Sequence, residues 1–246
     1  MGNRLTPPVA FPARLADNEG MYVCLFDIDG TLIASGGAGK AALEAALASE
    51  FGITKLIDKL ELSGRPDRSI LRDLFRLHVI EDTPENWQRI TEAYLRVLPT
   101  CLTSSKGRVL PGIAELLKQL HGRDDVALGL LTGNIRAGAR VKLGHFGLFD
   151  YFAFGGYGDH HFDRDDVARE AWQEIHRRYN GRVAPERVWV IGDTPLDVRC
   201  ARSIGARAVA VATGWHSRDE LAEHAPDLLL TDLSDPQPLL SRWSDV

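Results

Sequence analysis

Two carboxylates, Asp27 and Asp29, stand two residues apart at the end of an apolar run and are followed by Gly30 and Thr31. In an extended chain, residues two apart project to the same side, so both carboxylates can face one site. Burying two carboxylates together is unfavourable unless a cation or a shared proton offsets their repulsion. The spacing therefore favours acids that work beside a bound cation over a pair of solvated loop acids.

Two further apolar runs also end in polar residues. Thr132, Gly133 and Asn134 offer a hydroxyl and an amide, and if a helix begins there its backbone N–H groups favour an anion; simple helix capping explains these residues equally well. Asp193 and Asp197 follow a third run. Asp193 is placed to bind Mg²⁺, which prefers oxygen ligands, whereas Asp197 either hydrogen-bonds within the site or caps the following helix.

These polar residues follow segments that have the pattern of buried parallel strands. Near-continuous apolar runs are typical of such strands, and they occur at Tyr22–Ile28, Val126–Leu131, Val188–Ile191, Ala208–Ala212 and Leu228–Leu230, with a weaker one at Tyr151–Phe154. Helical patterns lie between the strands, which predicts an α/β fold with a doubly wound parallel sheet. Ligands bind at the carboxyl ends of the strands in such sheets, so we expect the polar residues to lie together.

The segment between the first two predicted strands contains three helical stretches instead of strand patterns. One runs from Ala38 to Phe51, another follows Pro66, and a third follows Thr83 and Pro84, which suit the N-cap and the first turn of a helix. A helical cap domain inserted after the first strand is therefore predicted. We expect a flexible leader (1–20), an α/β catalytic core (21–35 and 106–240) and the helical cap (36–105).

Composition narrows the range of partners. The chain has 246 residues and a formal net charge of -5, which argues against a nucleic-acid partner. No apolar run approaches the ~20 residues that span a bilayer, so no membrane role is expected. The three cysteines, Cys24, Cys101 and Cys200, form no CxxC pair, and a reduced, cytoplasmic compartment is predicted.

Together the motifs resemble the haloacid dehalogenase-like hydrolase superfamily and, within it, the phosphoglycolate phosphatase-like branch. The resemblance extends from Tyr22 to about Leu233. Its most specific motif is DxDGT at residues 27–31; LLTGN, which contains Thr132, is similar to the second family motif, and GDTPLD at residues 192–197 to the fourth. The resemblance implies a Rossmann-like core with a cap inserted after the first strand.

The resemblance also implies roles for these residues. Asp27 would attack phosphorus, and Asp29 would protonate the leaving oxygen and then deprotonate water. Mg²⁺ would be held by the Asp27 carboxylate, the main-chain carbonyl of Asp29 and Asp193. Thr132 would hydrogen-bond the phosphoryl oxygens. Further substrate contacts are expected at Thr31, Gly133 and Asn134. The expected enzyme is a Mg²⁺-dependent phosphatase of a small phosphorylated metabolite, with 2-phosphoglycolate as the first candidate.

The chain departs from the family at its third motif, which usually presents a lysine. Our candidate for this cation is Arg164, because an arginine stays charged and can bind two phosphoryl oxygens. Lys142 is the competing candidate, although it is predicted to lie on the helix after LLTGN. In a third interpretation, Arg164 only pairs with nearby acids such as Asp165 or Asp166.

The segment around Gly64 and Arg65 in the predicted cap resembles the substrate-specificity loop of related phosphatases. Arg65 would then contact a substrate carboxylate, whereas a surface turn before the helix after Pro66 is the simpler interpretation. Three alternative functions share the core: a haloacid dehalogenase, a phosphomutase acting on a sugar phosphate, and a non-catalytic binding module. A dehalogenase would not need Asp29, and a binding module would be expected to lack at least one catalytic group.

Overall fold

A computed structural model describes residues 20–54 and 62–243. The predicted leader, residues 1–20, lies outside the described residues except for Gly20, as does the short stretch 55–61 of the predicted cap.

Six parallel strands form the central sheet, and two very short strands form a separate antiparallel pair. The strands are β1 (Tyr22–Phe26), β2 (Ile33–Ala34), β3 (Arg108–Val109), β4 (Val126–Leu131), β5 (Phe154–Gly156), β6 (Val188–Gly192), β7 (Arg207–Val211) and β8 (Leu228–Leu230). The order in the central sheet is β5-β4-β1-β6-β7-β8, so β1 lies between β4 and β6. The carboxyl ends of these three strands therefore meet in the middle of the sheet.

Most of the described helices pack on the two faces of the sheet. They are α1 (Ala38–Phe51), α2 (Asp67–Leu77), α3 (Pro84–Ser104), α4 (Ile113–His121), α5 (Arg136–His145), α6 (Arg164–Arg178), α7 (Pro195–Ser203), α8 (Arg218–Glu223) and α9 (Gln237–Leu240). Side chains of α4, α5 and α9 share one apolar cluster with Cys24 and Phe26 of β1. Those of α6, α7 and α8 share another with Val23 and Leu25. Burial on both faces explains the near-continuous apolar runs, and the predicted doubly wound α/β fold is confirmed.

Helices α1, α2 and α3 lie between β2 and β3 in the chain and have a small apolar core of their own. Leu47, Leu74, Phe75 and Ile90 are among its buried side chains. The β2–β3 pair connects this helical unit to the sheet. We retain the cap and core boundaries given above as a proposal, since they divide the chain at this pair.

Two details of the strands differ from expectation. The weak strand predicted at Tyr151–Phe154 is wrong in position, because Phe149–Tyr151 forms a turn of 3-10 helix and the strand begins at Phe154. The β2–β3 pair was not predicted, since strands of two residues carry no periodicity. Within the described part of the chain, none of the helices combines the length and apolar character needed to cross a membrane.

Buried side chains of the central strand β1 should contribute more to the free energy of unfolding than exposed side chains of the cap helices. Leu25 of β1 is fully buried, whereas Leu77 at the end of α2 is 46% exposed. We expect Leu25→Ala to lower the free energy of unfolding by about 2–5 kcal/mol, because it leaves a cavity in the core. The same substitution at Leu77 should change it by only about 0.5 kcal/mol. Urea denaturation of both variants measures the difference, and equal losses would contradict the burial described here.

Candidate active site

Polar side chains from three neighbouring strand ends meet at the carboxyl edge of the sheet. Asp27 follows β1, Thr132 follows β4, and Asp193 follows β6; each of these residues is at least nine-tenths buried. The backbone N–H of Asp27 donates to the carbonyl of Ile191 at 2.9 Å, which ties the end of β1 to β6. The sheet order thus brings together residues that are at least 61 positions apart in the sequence.

Three buried carboxylates form the centre of this edge. Asp27, Asp193 and Asp197 each offer an oxygen, and these oxygens lie within 4.8 Å of one another. Burial raises the pKa of Asp27 to about 6 against the opposing charge of Arg164, and the charge of the neighbouring Asp197 adds to the increase. Burial and the charges of Asp27 and Asp197 raise the pKa of Asp193 well above its usual range. The site therefore holds its carboxylates under strong mutual repulsion.

Arg164 bridges two of these carboxylates. Its Nη2 donates to Asp27 Oδ1 at 2.8 Å and to Asp197 Oδ1 at 2.6 Å. The residue is only 2% exposed, and the two carboxylates raise the pKa of its guanidinium although burial opposes this. It is the first residue of α6, whose N-cap Asp163 accepts from the backbone of Asp165. The predicted cation of the third motif therefore lies against the predicted nucleophile and not against Asp165 or Asp166.

The charge of this cluster is incompletely balanced. If all three carboxylates are ionised, the single guanidinium leaves two negative charges uncompensated. Asp193 is the least neutralised, since the hydrogen bond found for its carboxylate comes from the hydroxyl of Thr31 at 3.0 Å. A divalent cation with oxygen ligands would restore neutrality. The donor set therefore fits Mg²⁺.

Asp197 satisfies both of its predicted interpretations. Oδ1 accepts from Arg164, and Oδ2 accepts from the backbone N–H of Thr194 at 3.0 Å and from its hydroxyl at 2.7 Å. The latter contacts belong to a capping box that starts α7. Asp197 therefore orients Arg164 and also caps the N-terminus of α7.

A second buried ion pair lies beside the first cluster. Lys142 Nζ donates to Asp29 Oδ2 at 2.6 Å and to Asn134 Oδ1 at 2.7 Å. Asn134 Nδ2 in turn donates to Asp29 Oδ2 and to Thr132 Oγ1, both at 2.9 Å. Burial acts to raise the pKa of Asp29, but the charge and hydrogen bond of Lys142 and the hydrogen bond of Asn134 hold it below its usual range. Asp29 is therefore a carboxylate in this arrangement.

Arg164 and Lys142, the two candidates for the third-motif cation, both lie in the site. Lys142 lies on α5, as expected from its position after LLTGN. Its long side chain reaches Asp29, while Arg164 contacts Asp27. Each predicted catalytic aspartate thus has its own cation.

The cap loop before α2 sits directly on the core. A Cβ atom on Gly64 would lie 2.7 Å from Thr194 Oγ1, and one on Gly133 would lie 2.2 Å from the carbonyl oxygen of Arg65. Neither position has room for a side chain, at Gly64 because of the Thr194 side chain and at Gly133 because of the Arg65 backbone. The carbonyl of Gly64 also accepts from Arg164 Nη1 at 2.8 Å. The Arg65 side chain donates to Ser69 and pairs with Asp73.

One residue of the cap that sequence reasoning missed contacts the same edge. The N–H of Asp67 donates to the carbonyl of Gly133 at 2.7 Å, and its Oδ2 accepts from the N–H of Ile135 at 2.9 Å. Burial raises the pKa of this carboxyl group to about 6, against the opposing charge of Lys142. An acid in the first helical turn after Pro66 was the available signal, but capping alone explains such an acid.

A cleft of about 350 Å³ opens between the cap loop and the starts of α6 and α7. Residues from both sides line it, among them Arg65, Ser69, Phe162, Arg164, Thr194 and His216. Arg164 lies between this cleft and the candidate nucleophile, since it lines the cleft and contacts Asp27.

Known proteins resemble the chain over most of its length. The family described as haloacid dehalogenase-like hydrolase matches residues 21–205. The phosphoglycolate phosphatase of Synechococcus elongatus is 32% identical over 222 residues, which cover 87% of this chain and 95% of the relative. Phosphoglycolate phosphatase 1 of Pseudomonas aeruginosa is 26% identical over 230 residues, covering 90% of this chain and 80% of the relative.

Solved structures share the fold. CbbY from Rhodobacter sphaeroides, in complex with phosphate, superposes with a TM-score of 0.67 at 23% identity and covers 88% of this chain and 96% of its own. A hydrolase from Pseudomonas syringae has the same TM-score at 22% identity, covering 90% and 99%. The expected resemblance, including its phosphoglycolate phosphatase-like branch, is confirmed. The chain belongs to the haloacid dehalogenase-like hydrolase family.

Proposed function

We propose that this enzyme is a Mg²⁺-dependent phosphatase that hydrolyses a small phosphate monoester through an aspartyl-phosphate on Asp27. The observation that carries the proposal is the buried trio Asp27, Asp193 and Asp197, which one guanidinium neutralises only in part. A phosphatase of small metabolites agrees with the similarity to phosphoglycolate phosphatases, and 2-phosphoglycolate is our first candidate substrate. A cytoplasmic location remains a prediction.

In the first step, the carboxylate of Asp27 attacks phosphorus and the ester oxygen leaves with the bonding electrons. Arg164 already contacts Asp27 Oδ1, so its positive charge is in place for the charge that develops on the phosphoryl oxygens. Thr132 and the backbone around Gly133 lie at the same strand edge and are our candidates for further phosphoryl contacts.

Asp29 serves the leaving group and then the attacking water. Lys142 holds Asp29 ionised before the substrate binds. A phosphoryl dianion would compete with Asp29 for the Lys142 ammonium, and this competition would raise the pKa of Asp29. Asp29 would then take up a proton from solvent and transfer it to the leaving oxygen. Once it has lost that proton, Asp29 accepts one from water, whose oxygen attacks the aspartyl-phosphate and releases phosphate.

We assign the cation to the Asp27 carboxylate, the main-chain carbonyl of Asp29 and Asp193. When bound, Mg²⁺ would supply positive charge that reduces the repulsion between Asp27 and an anionic ester. Thr31 donates to Asp193 Oδ1, so it would fix the orientation of this ligand. Asp197 accepts from both Arg164 and Thr194, and we therefore assign it a positioning role.

The decisive experiment measures phosphate release from a panel of small phosphate esters, including 2-phosphoglycolate, with and without Mg²⁺. We expect metal-dependent release that Asp27→Asn lowers by about three orders of magnitude or more, because an amide is not an effective nucleophile. Asp150→Asn, an exposed acid outside the site, is the control. Near-normal turnover in Asp27→Asn would eliminate Asp27 as the nucleophile. A phosphomutase would instead convert a sugar phosphate to its isomer without net release of phosphate.

The two buried cations should differ in their effect on turnover. We expect Arg164→Ala to lower kcat by about a hundredfold or more, and far more than Lys142→Ala, since Arg164 contacts the nucleophile directly. Lys142→Ala should instead move the pH dependence that Asp29 controls to higher pH, because the charge that depresses the pKa of Asp29 is lost. Steady-state rates across pH measure both effects, with Arg164→Lys testing whether charge alone suffices. The opposite ranking would overturn our choice of third-motif cation.

The cation assignment has a readout in stability. Without metal, Asp193→Asn should raise the melting temperature at pH 8, because it removes a repelled charge. That gain should shrink as the pH falls and wild-type Asp193 takes up a proton. A carboxyl group whose pKa is raised in the folded state destabilises the fold only at pH values where it is ionised. Mg²⁺ should stabilise the wild type and Asp150→Asn but not Asp193→Asn. Equal stabilisation of all three proteins by Mg²⁺ would remove Asp193 from the site.

A further inference from the structure

Asp67 of the cap binds the backbone of the core at two points. It is the first residue of α2. Its N–H donates to the carbonyl of Gly133 at 2.7 Å, and its Oδ2 accepts from the N–H of Ile135 at 2.9 Å. Asn134 is the residue between these two partners. Asp67 therefore fixes the backbone on both sides of Asn134.

The same segment, residues 133–135, is also held from the core. The N–H of Gly158, two residues after β5, donates to the carbonyl of Asn134 at 2.9 Å. A Cβ atom on Gly158 would lie only 1.9 Å from the carbonyl oxygen of Gly133, so the two backbones are in direct contact. The segment is thus clamped between the start of α2 and the loop after β5.

The start of α5 uses carboxylates from outside the helix. Its N-cap residue, Ile135, has an apolar side chain that cannot accept hydrogen bonds from the first turn. Asp67 accepts from the N–H of Ile135, and Asp159 accepts from the next N–H, that of Arg136, at 2.8 Å. Both carboxylates lie at the positive end of the helix dipole. Asp67 therefore supplies from the cap part of the capping that the sequence of α5 lacks.

The clamped segment carries partners of Asp29. Asn134 Nδ2 donates to Asp29 Oδ2, and Asn134 Oδ1 accepts from Lys142 Nζ. Lys142 lies on α5, about two turns after the residue that Asp67 binds. The amide of Asn134 and the ammonium of Lys142, which both contact Asp29, therefore depend on backbone that Asp67 holds.

We propose that Asp67 is a positioning residue for the reaction, which holds Asn134 and Lys142 against Asp29 through segment 133–135 and the start of α5. The effect depends on hydrogen-bond geometry, because an acceptor oxygen must lie within reach of the Ile135 N–H. The inference rests on the proposed phosphatase function and adds one residue of the cap to the groups on which Asp29 depends.

The experiment is a double-mutant cycle on kcat/KM, measured with Mg²⁺ and with the ester of the panel that the wild type hydrolyses best. The cycle compares the wild type, Asp67→Ala, Asn134→Ala and the double variant. Asp67→Asn is added because its amide keeps an acceptor oxygen without the charge. Asp159→Ala is the matched control, because it removes the other external carboxylate from the start of α5.

We expect Asp67→Ala to lower kcat/KM by about ten- to hundredfold, the range for losing a hydrogen bond to a charged group. Asp67→Asn should retain most of the wild-type value, and Asp159→Ala should stay within about threefold of it. In the Asn134→Ala background, Asp67→Ala should have a smaller effect than in the wild type, because a side chain through which Asp67 acts is missing. If Asp67→Ala melts below the assay temperature, Asp67→Glu replaces it: the longer side chain keeps the charge, displaces the acceptor and should be less active than Asp67→Asn.

Four results would overturn the inference. They are near-normal kcat/KM without the Asp67 acceptor, no recovery in Asp67→Asn, equal effects of Asp67→Ala in both backgrounds, and a loss in Asp159→Ala as large as that in Asp67→Ala. Each of them leaves the phosphatase proposal standing, because the wild type still releases phosphate. The absence of Mg²⁺-dependent release from every ester would instead defeat that proposal and this inference with it.

Discussion

The contact of Arg164 with Asp27 and Asp197 is the interaction on which the rest of the site depends. Three carboxylates are buried within 4.8 Å of one another, an arrangement that is unstable without positive charge. The guanidinium offsets part of the repulsion and aligns two of the acids through hydrogen bonds of 2.8 Å and 2.6 Å. The start of α6, the capping box of α7 and the ends of β1 and β6 each hold one member of this group in place.

Lys142 gives Asp29 an electrostatic environment that differs from that of Asp27. Asp27 and Asp29 are two positions apart, yet the pKa of one is raised and that of the other is lowered. Burial pushes the pKa of both acids upward. At Asp27 the charge of Arg164 does not outweigh burial, to which the neighbouring Asp197 adds, whereas at Asp29 the ammonium of Lys142 and the amide of Asn134 do outweigh it. Two acids of the same type can therefore take different parts in one reaction.

Much of the site could be predicted because it lies at strand ends. Asp27, Thr132 and Asp193 end apolar runs, and the topology of a parallel sheet brings such positions together. The place of Lys142 could not be assigned in this way, since the reach of a flexible side chain from a helix depends on its final rotamer. Asp67 was missed for a related reason: its partners, the backbone of Gly133 and Ile135, become its neighbours only after the cap has docked.

The hydrogen bond from Arg164 to the carbonyl of Gly64 joins the position of the cap to the chemistry of the core. Any motion that lifts this loop removes an acceptor from Arg164, which also contacts Asp27, the proposed nucleophile. The free energy of cap docking and the free energy of nucleophile alignment therefore share one coupling term, and by thermodynamic reciprocity a ligand that alters either must alter the other. Opening of the cap loop and the alignment of Asp27, the proposed nucleophile, are consequently linked equilibria and not independent events.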